Sequence, residues 1–70
     1  MKRQAVKSSN IKSIGFDTNL SALEIEFHTG SIYRYWGLPV VVYQRLMSAP
    51  SKGRFFTAHI KDQYRCTRVR

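Results

Sequence analysis

Residues 22–36, ALEIEFHTGSIYRYW, contain two short runs that are typical of β-strands. One side of the first run carries only apolar side chains, those of Leu23, Ile25 and Phe27. Such strict alternation is the pattern of a strand that is buried on one face. The second run, SIYRYW, is rich in aromatic residues, which favour strands, and the Thr29-Gly30 pair between the runs indicates a turn. The sequence therefore predicts a β-hairpin.

The length of the hairpin loop decides which way the tyrosines of the second strand point. A two-residue loop would place the guanidinium of Arg34 on the apolar face of the sheet. A three-residue loop that ends on Gly30 places glycine where the backbone must be left-handed. Glu24 then lies opposite Arg34, and Tyr33 and Tyr35 join the apolar face. Because the burial of an unpaired charge costs more than an exposed ion pair contributes, we predict the three-residue loop.

An earlier strand and two later helices are also predicted. The stretch IKSIGFD, residues 11–17, reads as the first strand, and Asp17-Thr18-Asn19 as the turn that follows it. After Pro39, apolar side chains recur at helical spacing at Val40, Val42, Tyr43, Leu46 and Met47. After an expected N-cap at Ser51, a second inner stripe consists of Phe55, Phe56, His59 and Ile60.

These elements predict an α+β fold, in which a three-stranded antiparallel β-meander is followed by two short helices packed on one face. We expect one domain over residues 1–70, with its core at about residues 7–64. No periodicity continues after Asp62, so the end of the chain is predicted as a short strand or as a basic arm over residues 65–70.

The charge of the chain is large and unevenly distributed. Twelve Lys and Arg side chains outnumber four Asp and Glu side chains, which gives a net charge of +8. Residues 1–12 carry four basic side chains and no acidic one, and residues 45–70 carry seven against Asp62 alone. This distribution favours an anionic partner, either a nucleic acid or an anionic protein surface. The alternative is a basic protein that is simply well solvated.

Other features favour a non-catalytic protein of the cytoplasm. The one cysteine, Cys66, has no partner for a disulfide or a metal site, as is typical of the reducing cytosol. No apolar run approaches the ~18 residues of a membrane span, and residues 1–10 lack the apolar centre of a signal peptide. His28 and His59 have no carboxylate spaced to orient them for acid–base catalysis. We expect no enzyme activity, no cofactor, no metal and no membrane association.

Several stretches together resemble a known family. GSIYRYWGLP (residues 30–39), VYQRLMSAPSKGRFF (42–56) and HIKDQYR (59–65) are similar to motifs of the KTSC domain. The family's central Tyr-any-Tyr motif corresponds here to Tyr33-Arg34-Tyr35, and its early Ser-Ser followed by an apolar pair corresponds to Ser8-Ser9-Asn10-Ile11. The family occurs at the C-terminus of some lysyl-tRNA synthetases and as small stand-alone bacterial and phage proteins. The resemblance covers roughly residues 7–69 and implies, by analogy, a link to RNA.

The segment PSKGR, residues 50–54, is the best candidate for a binding site. A helix that begins near Lys52 exposes free N–H groups, and its dipole favours an anion at that end. Gly53 would let a ligand approach the backbone, and the charges of Lys52 and Arg54 can hold a phosphate. The alternative is that Ser51 only caps the helix while both cations are solvated.

Two further surfaces are candidates. Arg54 and Lys61 share the outer face of the second helix, and with Arg65 and Arg68 they are predicted to form a basic stripe along a phosphate backbone. The alternative is a solvated helix face with a frayed tail. On the second face of the hairpin, Arg34 and Trp36 are candidates to stack a base or to contact a partner protein. Alternatively, Trp36 packs on the first helix.

These features predict a non-catalytic nucleic-acid-binding module that binds phosphates through a basic face, with RNA, tRNA included, favoured over DNA. One alternative is a protein-interaction module, such as a phage-encoded inhibitor or accessory protein that acts on host machinery. Another is a binder of nucleotide phosphates that uses the residues of PSKGR.

Overall fold

The computed structural model describes residues 1–70, and its central element is one antiparallel sheet with the strand order β1-β2-β3-β4-β5. In chain order, the elements are β1 (Arg3–Ala5), β2 (Ile11–Asp17), β3 (Ala22–Phe27), β4 (Ile32–Trp36), α1 (Val40–Ser48), α2 (Lys52–His59) and β5 (Arg65–Arg68). Both helices pack on one face of the sheet, so the expected α+β class is confirmed.

The hairpin of β3 and β4 has the predicted register. Leu23 pairs with Tyr35, Glu24 with Arg34, and Ile25 with Tyr33. The Gly30 N–H donates to the Phe27 carbonyl at 2.9 Å, and Gly30 has a φ of +96°, which is the left-handed conformation that favours glycine. The three-residue loop is therefore confirmed, and it directs Tyr35 into the core, where 5% of its surface is exposed.

The prediction of three strands was wrong, because the sheet has five. β1 extends the sheet beside β2, and β5 extends it beside β4, with Cys66 opposite Tyr35. Both added strands are short edge strands, and every residue of β5 is exposed. An edge strand with polar side chains on both faces shows no alternation in the sequence, although its backbone still pairs with a neighbour. Residues 65–70 were predicted as a short strand or as a basic arm, and the short strand is correct. Residues 65–68 form β5, and Val69 and Arg70 continue the hydrogen bonding through Ile32.

The two helices begin where the sequence predicted. Pro39 precedes α1, and the Ser51 Oγ accepts a hydrogen bond from the Arg54 N–H at 3.3 Å, which confirms Ser51 as the N-cap of α2. The predicted inner stripes were too wide, because Val40 and His59 are exposed. Val40 is the first residue of α1 and His59 is the last residue of α2, and neither belongs to the core or to the side chains packed against it.

The core lies between the sheet and the helices. Its buried members are Ile11, Ile14, Leu23, Ile25, Tyr35, Leu38, Leu46, Phe56 and Ile60. Phe56 contacts both Phe27 and Tyr35 edge to face, with ring centroids 5.6 and 5.5 Å apart, and so attaches α2 to the sheet. Neither α1 nor α2 has the length and apolar character that a membrane crossing requires.

Candidate nucleic-acid interface

A cavity of about 580 Å³ lies between the N-terminus of α2 and the loop that precedes β2. One wall is the segment 50–54, and the other is the segment 7–10. Three basic side chains line the cavity, those of Lys7, Lys52 and Arg54, and no acidic side chain does. The cavity also contains hydroxyl groups, so it offers both full positive charges and neutral hydrogen-bond donors to an anion.

Short hydrogen bonds determine the shape of the segment 7–10. The Ser8 hydroxyl donates to Asn10 Oδ1 at 3.1 Å and accepts from the Ile11 N–H at 3.3 Å. The His28 Nε2 lies 3.0 Å from the Ser8 carbonyl oxygen, which ties the segment to the loop between β3 and β4. The wall is therefore attached to the sheet rather than being a free tail.

Gly53 allows the two walls to approach each other. A β-carbon at residue 53 would lie only 2.6 Å from Asn10 Oδ1. We expected Gly53 to make room for a ligand, but the Asn10 side chain occupies that space. The absence of a side chain at Gly53 thus lets α2 pack against the segment 7–10.

The basic residues of the cavity differ in their freedom. The Lys52 Nζ donates to the Ala49 carbonyl oxygen at 3.1 Å, so this ammonium is partly held by the end of α1. The side chain of Arg54 is exposed, and Lys7 is exposed as well. Neither Lys7 nor Arg54 forms a salt bridge. Their charges are therefore available to a partner.

The acidic side chains of the strands lie on the other face of the sheet. Glu24 is 3% exposed and forms salt bridges with Arg3 and with Arg34, whose Nη2 lies 2.6 Å from Glu24 Oε2. Burial raises the pKa of the Glu24 carboxyl, but the hydrogen bonds from Arg34 and Arg3 outweigh it and leave this pKa below its ordinary value. The Glu26 carboxylate accepts from the Ser13 hydroxyl at 2.8 Å, which lowers its pKa as well.

Salt bridges therefore engage only three of the twelve basic side chains, those of Arg3, Arg34 and Arg70. The other nine form no salt bridge, and three of them line one cavity. No three His, Cys, Asp or Glu side chains come together as metal ligands would.

The motifs in this fold match one protein family. The family model of the KTSC domain matches residues 7–64 of the sequence. The chain belongs to the KTSC domain family.

Relatives of this KTSC domain include both small proteins and parts of larger ones. An uncharacterized protein of Stutzerimonas stutzeri is 44% identical over 70 residues, which are 99% of each chain. A lysine–tRNA ligase of Nostoc is 39% identical over 59 residues, which are 84% of this chain and 10% of the ligase. The crystal structure of a KTSC domain protein from Yersinia pestis has a TM-score of 0.96 and 45% identity, and it covers 99% of this chain and 97% of that one.

The structure brings together only part of the predicted site of this KTSC domain. Ser51, Lys52, Gly53 and Arg54 all line the cavity between the segments 7–10 and 50–54, which we call the basic cavity. Lys61 lies beyond the end of α2 and lines a second, neighbouring cavity.

The predicted basic stripe is not continuous, because β5 directs Arg65 and Arg68 to opposite faces of the sheet. Arg65 lies opposite Trp36, and Arg68 lies opposite Tyr33. The Arg68 guanidinium is 5.8 Å from the Tyr33 ring centroid and donates to the Ser31 hydroxyl at 3.2 Å. A frayed tail could have turned both arginines to one side, but a paired strand cannot.

Arg34 and Trp36 lie on the sheet face away from the helices, as predicted. They are less available than expected, because Arg34 is bound to Glu24 and the Trp36 Nε1 donates to the Thr67 hydroxyl at 3.0 Å. The Arg34 guanidinium also lies 5.6 Å from the Trp36 ring centroid. Both side chains thus already have partners within the protein.

Sequence reasoning missed one wall of the basic cavity, residues 7–10. The signal was present in the Ser8-Ser9-Asn10 motif, since Ser and Asn are residues that bond their own backbone in turns. Its proximity to Gly53 follows only from the packing of α2 against the start of β2.

Proposed function

We propose that this KTSC domain is a non-catalytic module that binds nucleic acid, RNA in preference to DNA, in the cytoplasm. The phosphates contact the basic cavity formed by the segments 7–10 and 50–54. The observation that carries the proposal is the composition of this cavity, which has three cationic side chains and no acidic one. A polyanion gains from such a cluster because each neutralised phosphate releases condensed counterions.

The arrangement of charges over the whole molecule supports the same partner. The strand carboxylates Glu24 and Glu26 are held by cations on the face of the sheet opposite the helices. They therefore do not neutralise the cations near the N-terminus of α2. A phosphate at the cavity would also meet the unpaired N–H groups at the first turn of α2, which adds a favourable dipole.

The preference for RNA is supported by a relative. The Nostoc protein that contains a segment similar to this chain is named for joining lysine to tRNA. The similar segment is 10% of that ligase, so the ligase activity as a whole is not transferred to this chain. A binding module that helps to hold RNA fits both a part of such a ligase and a separate small protein.

The decisive experiment is a salt titration of binding. The affinity of the full chain for tRNA, for single-stranded RNA and for DNA of equal length is measured by fluorescence anisotropy at several salt concentrations. We expect log K to fall linearly with log salt for each RNA, and RNA to bind more tightly than DNA. No RNA binding at low salt, or an affinity that does not change with salt, would contradict the proposal.

A further inference from the structure

A second cavity, of about 400 Å³, opens beside the basic cavity. It lies between β4, β5 and α2, and five aromatic side chains line it, those of Phe27, Tyr33, Tyr35, Phe56 and Tyr64. Asn10 and Thr57 line both cavities, so the two adjoin at these residues. The aromatic cavity and the basic cavity are therefore neighbours. The volume of each lies within the ~300–1,000 Å³ that is typical of ligand-binding sites.

One ring of the aromatic cavity is free of aromatic neighbours. Phe27, Tyr33, Tyr35 and Phe56 pack against one another edge to face, with centroids 5.5 to 6.0 Å apart. Tyr64 makes no such contact and is half-buried at the cavity wall. Its ring packs against the core, and a planar ligand on this ring would displace no aromatic contact.

The polar groups of the aromatic cavity are mostly neutral. A tyrosine hydroxyl is uncharged at physiological pH, and burial, helped by the neighbouring Cys66 thiol, raises the pKa of the Tyr35 hydroxyl further. At the junction, Asn10 Oδ1 accepts from Ser8, which leaves the Asn10 amide group free to donate. Lys61 and Asp62 carry opposite charges and both line the cavity. This environment suits an uncharged, planar, hydrogen-bonding group, whereas the adjoining cavity suits an anion.

We infer that the two cavities together bind one unpaired nucleotide of an RNA strand, with the base in the aromatic cavity and its phosphate in the basic cavity. The inference rests on the proposed function. A nucleotide has the required combination of a planar neutral part and an anionic part in adjacent positions. Bases of single-stranded RNA can turn out of the strand and stack on aromatic side chains, whereas a paired base must first be unpaired and unstacked, which costs free energy. The domain thus recognises loops or ends of RNA.

The first test changes the ligand and leaves the protein intact. The full chain is titrated at low salt with a labelled single-stranded oligouridine and with an RNA backbone of the same length that lacks bases. We expect the oligouridine to bind roughly tenfold more tightly, because only it can place a base on the aromatic side chains. Equal affinity for the two ligands would overturn the inference while leaving the proposed phosphate binding intact. If neither ligand binds, the proposed function itself is wrong.

The second test locates the base. Tyr64→Leu removes the free ring, and Tyr43→Leu serves as the matched control, since Tyr43 is also half-buried but stacks on Phe16 away from both cavities. The Tm of each variant is measured first, and binding is compared at a temperature where both are folded. We expect Tyr64→Leu to abolish the advantage of oligouridine over the baseless strand, and Tyr43→Leu to keep it. If Tyr64→Leu still binds oligouridine more tightly than the baseless strand, the base binds elsewhere and the inference is wrong.

Discussion

Gly53 packs directly against Asn10, and this contact joins the two walls of the basic cavity. A β-carbon at residue 53 would lie 2.6 Å from Asn10 Oδ1, closer than such atoms approach in folded proteins. The glycine lies in the first turn of α2, where alanine would normally favour the helix. Its presence therefore reflects a tertiary contact, and it places a residue of the β2 side beside Lys52 and Arg54.

Gly53→Ala is expected to stabilise the domain by less than the ~1 kcal/mol that alanine gains over glycine in a helix, because the new methyl group must displace the exposed Asn10 side chain and its bond with Ser8. Urea unfolding of Gly53→Ala, Asn10→Ala and the double variant measures the coupling. In the Asn10→Ala background the clash is absent, so the same glycine substitution should stabilise the domain by more than it does in the otherwise unchanged protein. An equal effect of Gly53→Ala in the two backgrounds would contradict this account.

The charges of the basic cavity are expected to set the salt dependence of RNA binding. The double variant Lys7→Gln/Arg54→Gln removes two phosphate contacts, so the slope of log K against log salt should become shallower by about 1.4 for single-stranded RNA. The affinity at low salt should fall roughly tenfold.

The matched control for that variant is Lys12→Gln/Arg45→Gln, which removes the same charge from two exposed residues outside the cavity. We expect its slope to stay within about 0.3 of the original value, since it removes no direct phosphate contact. Equal slopes for the two double variants would mean that RNA senses only the net charge of the domain.

Glu24 is expected to make stability depend on pH in the acidic range. Its pKa in the folded protein lies below the ordinary value of 4.5, so the folded state holds its proton less tightly than the unfolded state. The resulting stabilisation is present above the unfolded pKa and is lost as the pH falls through the folded pKa. Urea unfolding at a series of pH values from neutral to strongly acidic should therefore show a decline that begins near pH 5.

Glu24→Gln tests the assignment of that decline. At neutral pH the variant should lose roughly 1–3 kcal/mol, since Arg3 and Arg34 then lose a charged partner. The acid-dependent loss should become smaller but not vanish, because the pKa of Glu26 is also lowered. If Glu24→Gln left the pH dependence of stability unchanged, Glu24 would not contribute to the loss of stability in acid.

Removal of residues 65–70 is expected to destabilise the domain strongly, although these residues are polar and exposed. Residues 65–70 pair with β4, and Cys66 lies opposite the buried Tyr35. Loss of these backbone hydrogen bonds and exposure of the β4 edge should cost at least roughly 2 kcal/mol. Deletion of Met1 and Lys2, which precede β1, is the control and should cost much less. Thermal unfolding of both truncated chains gives the comparison, and similar Tm values would argue that β5 contributes nothing.

The hairpin and the helices could be predicted because their signals are local. Leu23, Ile25 and Phe27 alternate with polar residues, Gly30 suits one loop length, and the cost of burying Arg34 selects the register. β1 and β5 could not be predicted in the same way. Their strand conformation comes from hydrogen bonds to β2 and β4, which are backbone interactions that almost any side chain permits.

The candidate site also has one part that the sequence predicts and one part that it does not. Ser51, Lys52 and Arg54 are neighbours in the sequence, so the cap, the helix start and the charges were all predictable from one short segment. The opposite wall at residues 7–10 and the aromatic cavity were not, because packing of α2 on the sheet brings distant segments together. Local sequence determines conformation and charge through neighbouring side chains, whereas a cavity is a property of the space between elements and exists only once they have packed.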